Sequence, residues 1–218
     1  TLYEDVVKAQ RQIGKVGELS CGYNAGGPAV QDYAAKMGIE LSAVEAADLV
    51  RNWRRVNVEI VALWAELDNA LRRAVARPGT SQSVELPHGY ITVTSSTTLA
   101  SISKQHPGAV DLTVFIDMDG LQLFSRVLRG VYRLGTSLVY HKPSPTKTGP
   151  LWRDYYVSAK TKRRVKNTIY GGKLTGIVIQ SLCRELFMDI MVAVSEWAQP
   201  FSYTDVKLVG QFHDELVL

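Results

Sequence analysis

The spacing of the apolar residues changes part-way along the chain, and this change limits the fold more than any other feature of the sequence. From Val44 to Leu71 apolar residues recur at steps of three and four, which is the spacing of one face of an α-helix. From Val110 to Ile116 every second residue is apolar, which is typical of a strand buried on one face. We therefore predict an α+β fold in which a helical part precedes a sheet.

Capping and turn residues divide the helical part into three predicted helices. The first covers residues 3–21, and the second runs from Pro28 to Gly38. Ser42 and Glu45 have the spacing of a capping box, which opens a long third helix. Pro78 and Gly79 end that helix. The whole first half is therefore expected to be mostly helical.

The second half reads as an antiparallel sheet with one helix packed against it. Strands are predicted near residues 110–116, 121–128 and 132–140, and a proline-rich loop follows. A late helix is predicted from Leu174 to Trp197 and, because it is apolar on several faces, is expected to be buried. Residues 206–218 read as a terminal hairpin.

Composition narrows the class of protein further. Of the 218 residues, 46% are hydrophobic and 21% are charged, close to the average of soluble globular domains. The net charge of +4 is compatible with a polyanionic partner. The longest apolar run, Leu186 to Val194, is too short to span a bilayer, so no membrane partner is expected. Cys21 and Cys183 have no metal-ligand spacing.

A row of two cations, an apolar residue and an aromatic residue marks the first helix. Arg11, Lys15, Leu19 and Tyr23 are four residues apart, so on a helix they share one face, rising about 6 Å at each step. Such a row could hold a polyphosphate at one end and a sugar and base at the other. The alternative is a solvated basic face with Leu19 and Tyr23 in the core.

Adjacent carboxylates at the terminal hairpin form a second candidate site. Asp214 and Glu215 lie between short apolar segments, and their oxygens are the hard ligands that Mg²⁺ prefers. The alternative is an ordinary charged turn.

A cationic segment precedes the late helix and forms a third candidate. Such a segment can follow a nucleic-acid backbone, and the alternative is a solvated surface. Gln180 is either a hydrogen-bonded core amide or a group that contacts a base edge or sugar. The candidate DNA-binding cations are Lys160, Lys162, Arg163, Arg164 and Lys173.

These three segments together resemble the family A DNA polymerases of phages. The row from Arg11 to Tyr23 resembles motif B, and Tyr170–Thr175, with Gln180 further on, resembles the segment before the last palm helix. Residues 211–217 resemble motif C. The resemblance covers most of the chain and implies a fingers-like helical part, residues 1–108, and a palm-like part, residues 109–218, within one polymerase domain.

The resemblance also implies roles for single residues. Arg11 and Lys15 would grip the triphosphate of an incoming dNTP, Leu19 would face its sugar, and Tyr23 would lie at the base end. Asp214 would hold a catalytic metal ion, with Glu215 as its acidic neighbour. The residues expected to contact the primer end or its duplex are Gln180, Gln211 and His213.

Some features of the family's pattern differ here. Gly176 and Ile177 stand where the family has Glu-Asn, and Thr136 stands where an arginine is expected. No Asp-x-Ser-x-x-Glu of motif A occurs, so the chain supplies only part of a site for two Mg²⁺ ions. We therefore expect a fragment of a polymerase that lacks its start and its last palm elements.

The function expected from the sequence is template-directed DNA synthesis by a phage-like polymerase, with primer–template DNA and dNTP as partners. A monomer in the cytoplasm, that of the host cell for a viral protein, is expected. The isolated chain is expected to be inactive. One alternative is a DNA-binding module without catalysis, and another is a metal-dependent phosphohydrolase that uses Asp214 and Glu215.

Overall fold

A computed structural model describes residues 8–199, 210–212 and 215–217, with side chains described for residues 10–199. The chain divides into two compact units, one ending at Ile177 and the other beginning at Val178. The architecture is α+β, as the change in apolar spacing predicts.

Helices form the first part of the described chain. Val16, Val30, Ala46 and Trp53 come together in a helical core, because each helix turns its apolar face inward. The capping box is confirmed, since the Glu45 N–H donates to Ser42 Oγ at 3.2 Å and the Ser42 N–H donates to the Glu45 carboxylate at 2.8 Å. The helices are α1 (Lys8–Cys21), α2 (Gly27–Lys36), α3 (Ala43–Val56) and α4 (Val58–Ala76).

The prediction of a single long helix after Ser42 is wrong, because the helix is interrupted at Asn57. Its backbone, with φ −106° and ψ 52°, is not helical. Both its backbone N–H and its side-chain amide donate to the Trp53 carbonyl, so Asn57 closes α3. In one straight helix Trp53 and Trp64 would lie about 16 Å apart along the axis. The break lets their rings stack with centroids 5.8 Å apart.

An antiparallel sheet follows the helices, in the strand order β1-β2-β3-β4-β5-β6, with β9 paired to β5. Strands β7 and β8 form a separate hairpin, and so do β10 and β11. The elements in chain order are β1 (Ser81–Leu86), β2 (Gly89–Thr97), α5 (Ala100–Gln105), β3 (Val110–Met118), β4 (Leu121–Leu134), β5 (Ser137–Ser144), β6 (Leu151–Arg153), β7 (Tyr155–Val157), β8 (Arg164–Lys166), β9 (Thr168–Ile169), α6 (Gly171–Ala198), β10 (Gly210–Phe212) and β11 (Glu215–Val217).

The sheet begins earlier than the sequence indicates. Strands β1 and β2 bury Val84, Ile91 and Val93, while serine and threonine residues cover much of their other face, so the alternation is easily missed. The single strand predicted over residues 132–140 is wrong. A hairpin turn at Gly135, with φ +59°, divides it between β4 and β5. The division into a fingers-like and a palm-like part stays a prediction.

Helix α4 connects the helical part to the sheet. Its residues Leu67 and Leu71 are fully buried, and it contacts β1, β2, β3 and β4. The first residues of α6, Gly171–Ile177, belong to the same unit. The start of α6 and the end of α1 are therefore positioned by one packed body.

The late helix is confirmed as α6, and the burial expected of it is found in its first turns, at Leu174 and Val178. The large apolar residues of α6 that stay exposed include Leu186, Met188, Ile190, Val192 and Trp197.

Candidate functional site

The row predicted on the first helix lies on the exposed face of α1. Arg11 and Lys15 are exposed, and Leu19 is 51% exposed. Another face packs inward through Val16. Glu18, three residues after Lys15, is exposed and accepts a hydrogen bond from the indole N–H of Trp53 at 3.1 Å. The alternative in which Leu19 belongs to the core is wrong.

Tyr23 follows the last turn of α1 instead of lying within the helix. The helix ends at Cys21, but its final carbonyls accept bonds from the next residues, as when the Asn24 N–H donates to the Cys21 carbonyl at 2.8 Å. Tyr23 thus stays beside α1 and remains 41% exposed, so it is not a core residue either. Its ring lies against Gly176 of α6, where a Cβ atom would come within 2.7 Å of Tyr23 Cδ1.

Gly176 therefore gains a structural role in place of the glutamate that the resemblance expects. Only a residue without a Cβ lets the Tyr23 ring approach α6 so closely. Gly172, one turn earlier, receives the side chain of Asn24 in the same way. The end of α1 is fixed on a glycine-lined start of α6.

A cavity of about 460 Å³ opens beside Asn24, and the sequence interpretation did not identify it. It is lined by α3, α4 and the start of α6. The Arg54 guanidinium donates to Asn24 Oδ1 at 2.8 Å, and Asp68 accepts from Arg72 at 2.6 Å. Trp64 lies among them and is only 5% exposed. In the sequence, the signal for this cavity was a charged residue, Asp68, one helical turn after Trp64. Packing of the tryptophan in a core explains that spacing equally well.

Arg72 also reaches the turn between β4 and β5. Its guanidinium donates to the Thr136 carbonyl at 2.8 Å. The resemblance expects an arginine at Thr136, and α4 brings one to the same turn from another part of the chain.

The cationic segment forms most of the β7–β8 hairpin and its loop. Lys160, Lys162, Arg163 and Arg164 are all exposed, and Lys162 has a left-handed backbone with φ +56°. The Lys160 ammonium lies 3.5 Å from the carboxylate of Asp32 on α2. The Arg164 guanidinium lies 4.7 Å from the centre of the Tyr155 ring.

Asp154 anchors the base of this hairpin. Its carboxylate is mostly buried and accepts hydrogen bonds from Lys166, at 2.6 Å, and from the Tyr132 hydroxyl. Burial raises the pKa of Asp154, but these two donors outweigh it and hold the pKa below its ordinary value. Burial is also the main reason why the pKa of Tyr132 is raised and that of His106 is lowered. The hairpin thus stands on a mostly buried carboxylate that stays ionised at neutral pH.

Of the two candidate DNA-binding residues on α6, Lys173 contacts neighbouring residues of the chain and Gln180 is exposed. The Lys173 ammonium donates to the Thr168 carbonyl at 2.9 Å and lies 5.2 Å from the centre of the Tyr140 ring. Gln180 is exposed on α6, so the alternative of a core amide is wrong. Their expected contacts with DNA stay predictions.

The candidate metal site falls at the edge of what the structure describes. Strands β10 and β11 pair as a hairpin, which confirms the predicted terminal hairpin. The turn predicted over residues 211–215 is too long, because Gln211, Phe212 and Glu215 lie in the paired strands. His213 and Asp214 lie outside the described residues, and only the backbone is described for Gln211 and Glu215. Within residues 10–199, no three metal-ligating side chains come together.

The amino-acid sequence of this chain is similar to that of a known protein. The DNA polymerase of Bacillus phage SP02 is 26% identical to this chain over 212 residues, which are 95% of this chain and 26% of the polymerase. The chain is distantly similar to a phage DNA polymerase. It spans about a quarter of that relative's length. No family model and no solved structure matches the chain.

Among the described residues, none of the helices is both long and apolar enough to cross a bilayer.

Proposed function

We propose that this chain is the nucleotide- and DNA-binding part of a phage-like DNA polymerase that copies a template. The observation that carries the proposal is the exposed row on α1, in a chain that resembles a phage DNA polymerase along nearly its whole length. The row offers two exposed cations, then an apolar side chain, then an aromatic ring. That order matches the triphosphate, sugar and base of a dNTP.

Arg11 and Lys15 are the proposed triphosphate ligands. A guanidinium can donate two parallel hydrogen bonds to a phosphate, and an ammonium can follow the phosphate as it moves. In nucleotidyl transfer the primer 3′-hydroxyl attacks the α-phosphorus and pyrophosphate leaves. Two cations beside the β- and γ-phosphates neutralise the charge that collects on the leaving group.

Asp214 is the proposed metal ligand, with Glu215 beside it. Carboxylate oxygens of this kind fit Mg²⁺. When bound, Mg²⁺ would stabilise the charge that develops on the transferred phosphoryl group. In the complete polymerase we expect Asp214→Ala to abolish primer extension and to leave the affinity for primer–template DNA largely intact. Near-normal extension by this variant would remove Asp214 from the reaction.

The α1 row can be tested by a binding measurement that needs no chemistry. A primer with a 3′-dideoxy end prevents extension, and a labelled complementary dNTP then reports binding by fluorescence anisotropy. We expect Lys15→Ala to weaken dNTP binding about tenfold, because a charge-assisted hydrogen bond contributes about 1.5–3 kcal/mol. Lys36→Ala is the matched control, since Lys36 is also exposed but lies on α2.

Two results would contradict the assignment of α1. One is equal dNTP affinity in Lys15→Ala and the unchanged protein. The other is dNTP binding that does not depend on the template base.

A DNA-binding module without catalysis is the second candidate, and the β7–β8 hairpin favours it. Exposed cations follow one another around this hairpin, and the Tyr156 side chain beside them is 53% exposed. Such a surface binds DNA backbones in a salt-dependent way. If the chain binds primer–template DNA but shows no template-dependent dNTP binding, this second function replaces the first.

A further inference from the structure

Two cavities adjoin on the surface of strand β5, and together they form the β5 groove. One has a volume of about 210 Å³ and the other of about 270 Å³. Lys142 and Pro143 line both of them, so Lys142 lies where the two cavities meet. Among the described residues that line them, none is acidic. The cations and aromatic residues of the two linings include Arg126, Arg129, Lys142, Trp152, Arg153 and Tyr156.

The positive charge where the two cavities meet is not neutralised by the chain. Lys142 on β5 lies directly opposite Arg153 on β6. Two like charges in that position destabilise a sheet. Within residues 10–199, neither of them forms an ion pair with a carboxylate. An anionic ligand would relieve their repulsion, so the placement of these two cations favours a polyanion as the ligand.

Trp152, which lines the first cavity, is held in a fixed orientation. The Arg129 guanidinium lies over its ring, 4.8 Å from the centre. That guanidinium is itself fixed, because Arg129 Nε donates to the Asp111 carboxylate at 3.1 Å. Asp111 also accepts from the Thr98 hydroxyl and from the Gly130 N–H, each at 2.7 Å. Trp152 is only half-buried, so its ring is positioned in advance for a planar ligand.

Tyr156 offers a second ring at the other cavity. Its side chain is 53% exposed and lines that cavity. The neighbouring Tyr155 lines it too, but the Arg164 guanidinium lies 4.7 Å from the centre of the Tyr155 ring. Tyr156 is therefore the more open of the two rings.

The order of these groups selects the class of ligand. A ring in each cavity and a lysine between them correspond to base, phosphate and base along one nucleic-acid strand. Single-stranded DNA combines these contacts, because its bases stack on aromatic side chains while cations bind its backbone. In a duplex the bases are stacked on one another, and their faces are not available to the two rings.

We propose that the β5 groove binds single-stranded DNA, with Trp152 and Tyr156 stacking on its bases and Lys142 binding the phosphate between them. The proposal rests on the proposed function, because a polymerase that copies a template must accommodate the unpaired part of that template. It adds a binding site for unpaired DNA outside the α1 row, the terminal hairpin and the cationic loop between β7 and β8.

The test compares primer–template molecules that differ only in the unpaired part of the template. One fluorescein-labelled probe has a 5′ template overhang of thymidines, the second has an abasic overhang of the same length, and the third is a blunt duplex. Each is titrated with the protein at fixed salt and followed by fluorescence anisotropy. We expect the abasic overhang to bind about a hundredfold more weakly than the thymidine overhang, because each of two stacked bases contributes about tenfold. The blunt duplex should also bind more weakly than the thymidine overhang.

Single variants separate the rings from the cation. Tyr156→Ala should weaken binding of the thymidine overhang about tenfold and leave the abasic overhang unchanged, because it removes one stacking surface. Trp152→Ala should do the same, and circular dichroism checks that it folds; Tyr156→Ala, at an exposed position, carries the test if it does not. Lys142→Gln should weaken both overhangs equally and lower the slope of log affinity against log salt by about 0.7, because it removes one phosphate contact.

Tyr90→Ala and Lys36→Gln are the matched controls. Tyr90 is 49% exposed on β2, and Lys36 is exposed on α2. Neither of them lines the β5 groove. Tyr90→Ala should keep the full difference between the two overhangs, and Lys36→Gln should keep the salt dependence.

Three results would overturn the proposal. One is equal affinity for the thymidine and abasic overhangs, and another is a difference that survives fully in both ring variants. The third is tighter binding of the blunt duplex than of the thymidine overhang. Template-dependent dNTP binding through α1 is measured separately, so the proposed function would stand if that binding were found. Failure to bind any of the three probes would overturn both proposals.

Discussion

Replacing Gly171 with alanine tests how the start of α6 is packed against α4. A Cβ atom at Gly171 would overlap the Trp64 carbonyl oxygen, and it would lie 2.6 Å from the Trp64 carbonyl carbon and 3.1 Å from the Asp68 nitrogen. These are backbone atoms of a helix that also buries Leu67. They cannot move aside as the end of a side chain could.

The expected cost follows from two opposing effects. Overpacking of this kind costs about 3 kcal/mol, and the smaller conformational entropy of the unfolded chain with alanine returns about 1 kcal/mol. We therefore expect Gly171→Ala to lower the free energy of unfolding by about 2 kcal/mol. With a urea dependence of about 2 kcal/mol per molar, the unfolding midpoint should fall by about 1 M. Tryptophan fluorescence can follow the transition, because Trp53 and Trp64 lie in this core.

Two other glycines provide matched controls. At Gly176 the added Cβ would meet the ring of Tyr23, a partly exposed side chain that can move more easily than backbone, so Gly176→Ala should destabilise the protein less than Gly171→Ala does. At Gly14, in α1, no atom lies within 4 Å, so Gly14→Ala should stabilise the protein by about 0.5–1 kcal/mol. If Gly171→Ala were as stable as the unchanged protein, the close contact between α4 and α6 would be refuted.

Further predictions concern the helix cap and the polar cluster. Ser42→Ala should lower the free energy of unfolding by about 1 kcal/mol, measured by urea unfolding. Hydrogen bonds with Ser42 lower the pKa of Glu45. The stability that the cap contributes is therefore fully present above the ordinary pKa of a glutamate, and it is lost as the pH falls through the lowered pKa. The effect of Ser42→Ala should therefore shrink in acid, and an effect independent of pH would contradict the role of Glu45. Lys166→Met should cost about 2 kcal/mol at neutral pH, because it leaves the mostly buried Asp154 carboxylate without its ammonium partner. That loss should also disappear as pH falls and Asp154 is protonated, while Arg51→Met, at an exposed ion pair, should cost less than about 0.5 kcal/mol.

Local signals in the sequence were sufficient for much of the fold. The Ser42–Glu45 cap, the alternation in β3 and the apolar run of α6 each depend on residues close together in the chain, so they could be read directly. The break at Asn57 could not, because it depends on two tryptophans that stack only when the chain turns. The exposure of the later part of α6 could not be predicted either, because an apolar composition does not show which residues will cover a helix.

The sequence by itself determined the order of residue types along α1 and the resemblance that this order carries, because residues four apart share a helix face wherever the helix lies. The tertiary structure decided which side of α1 is exposed, since that depends on the packing of α2 and α3. It also brought Arg54, Trp64 and Asp68 to a single cavity with Gly171 and Gly172, although 94 residues (77–170) separate α4 from α6 in sequence. A cavity exists only once the chain has folded around it, and for that reason no sequence pattern could have revealed this one.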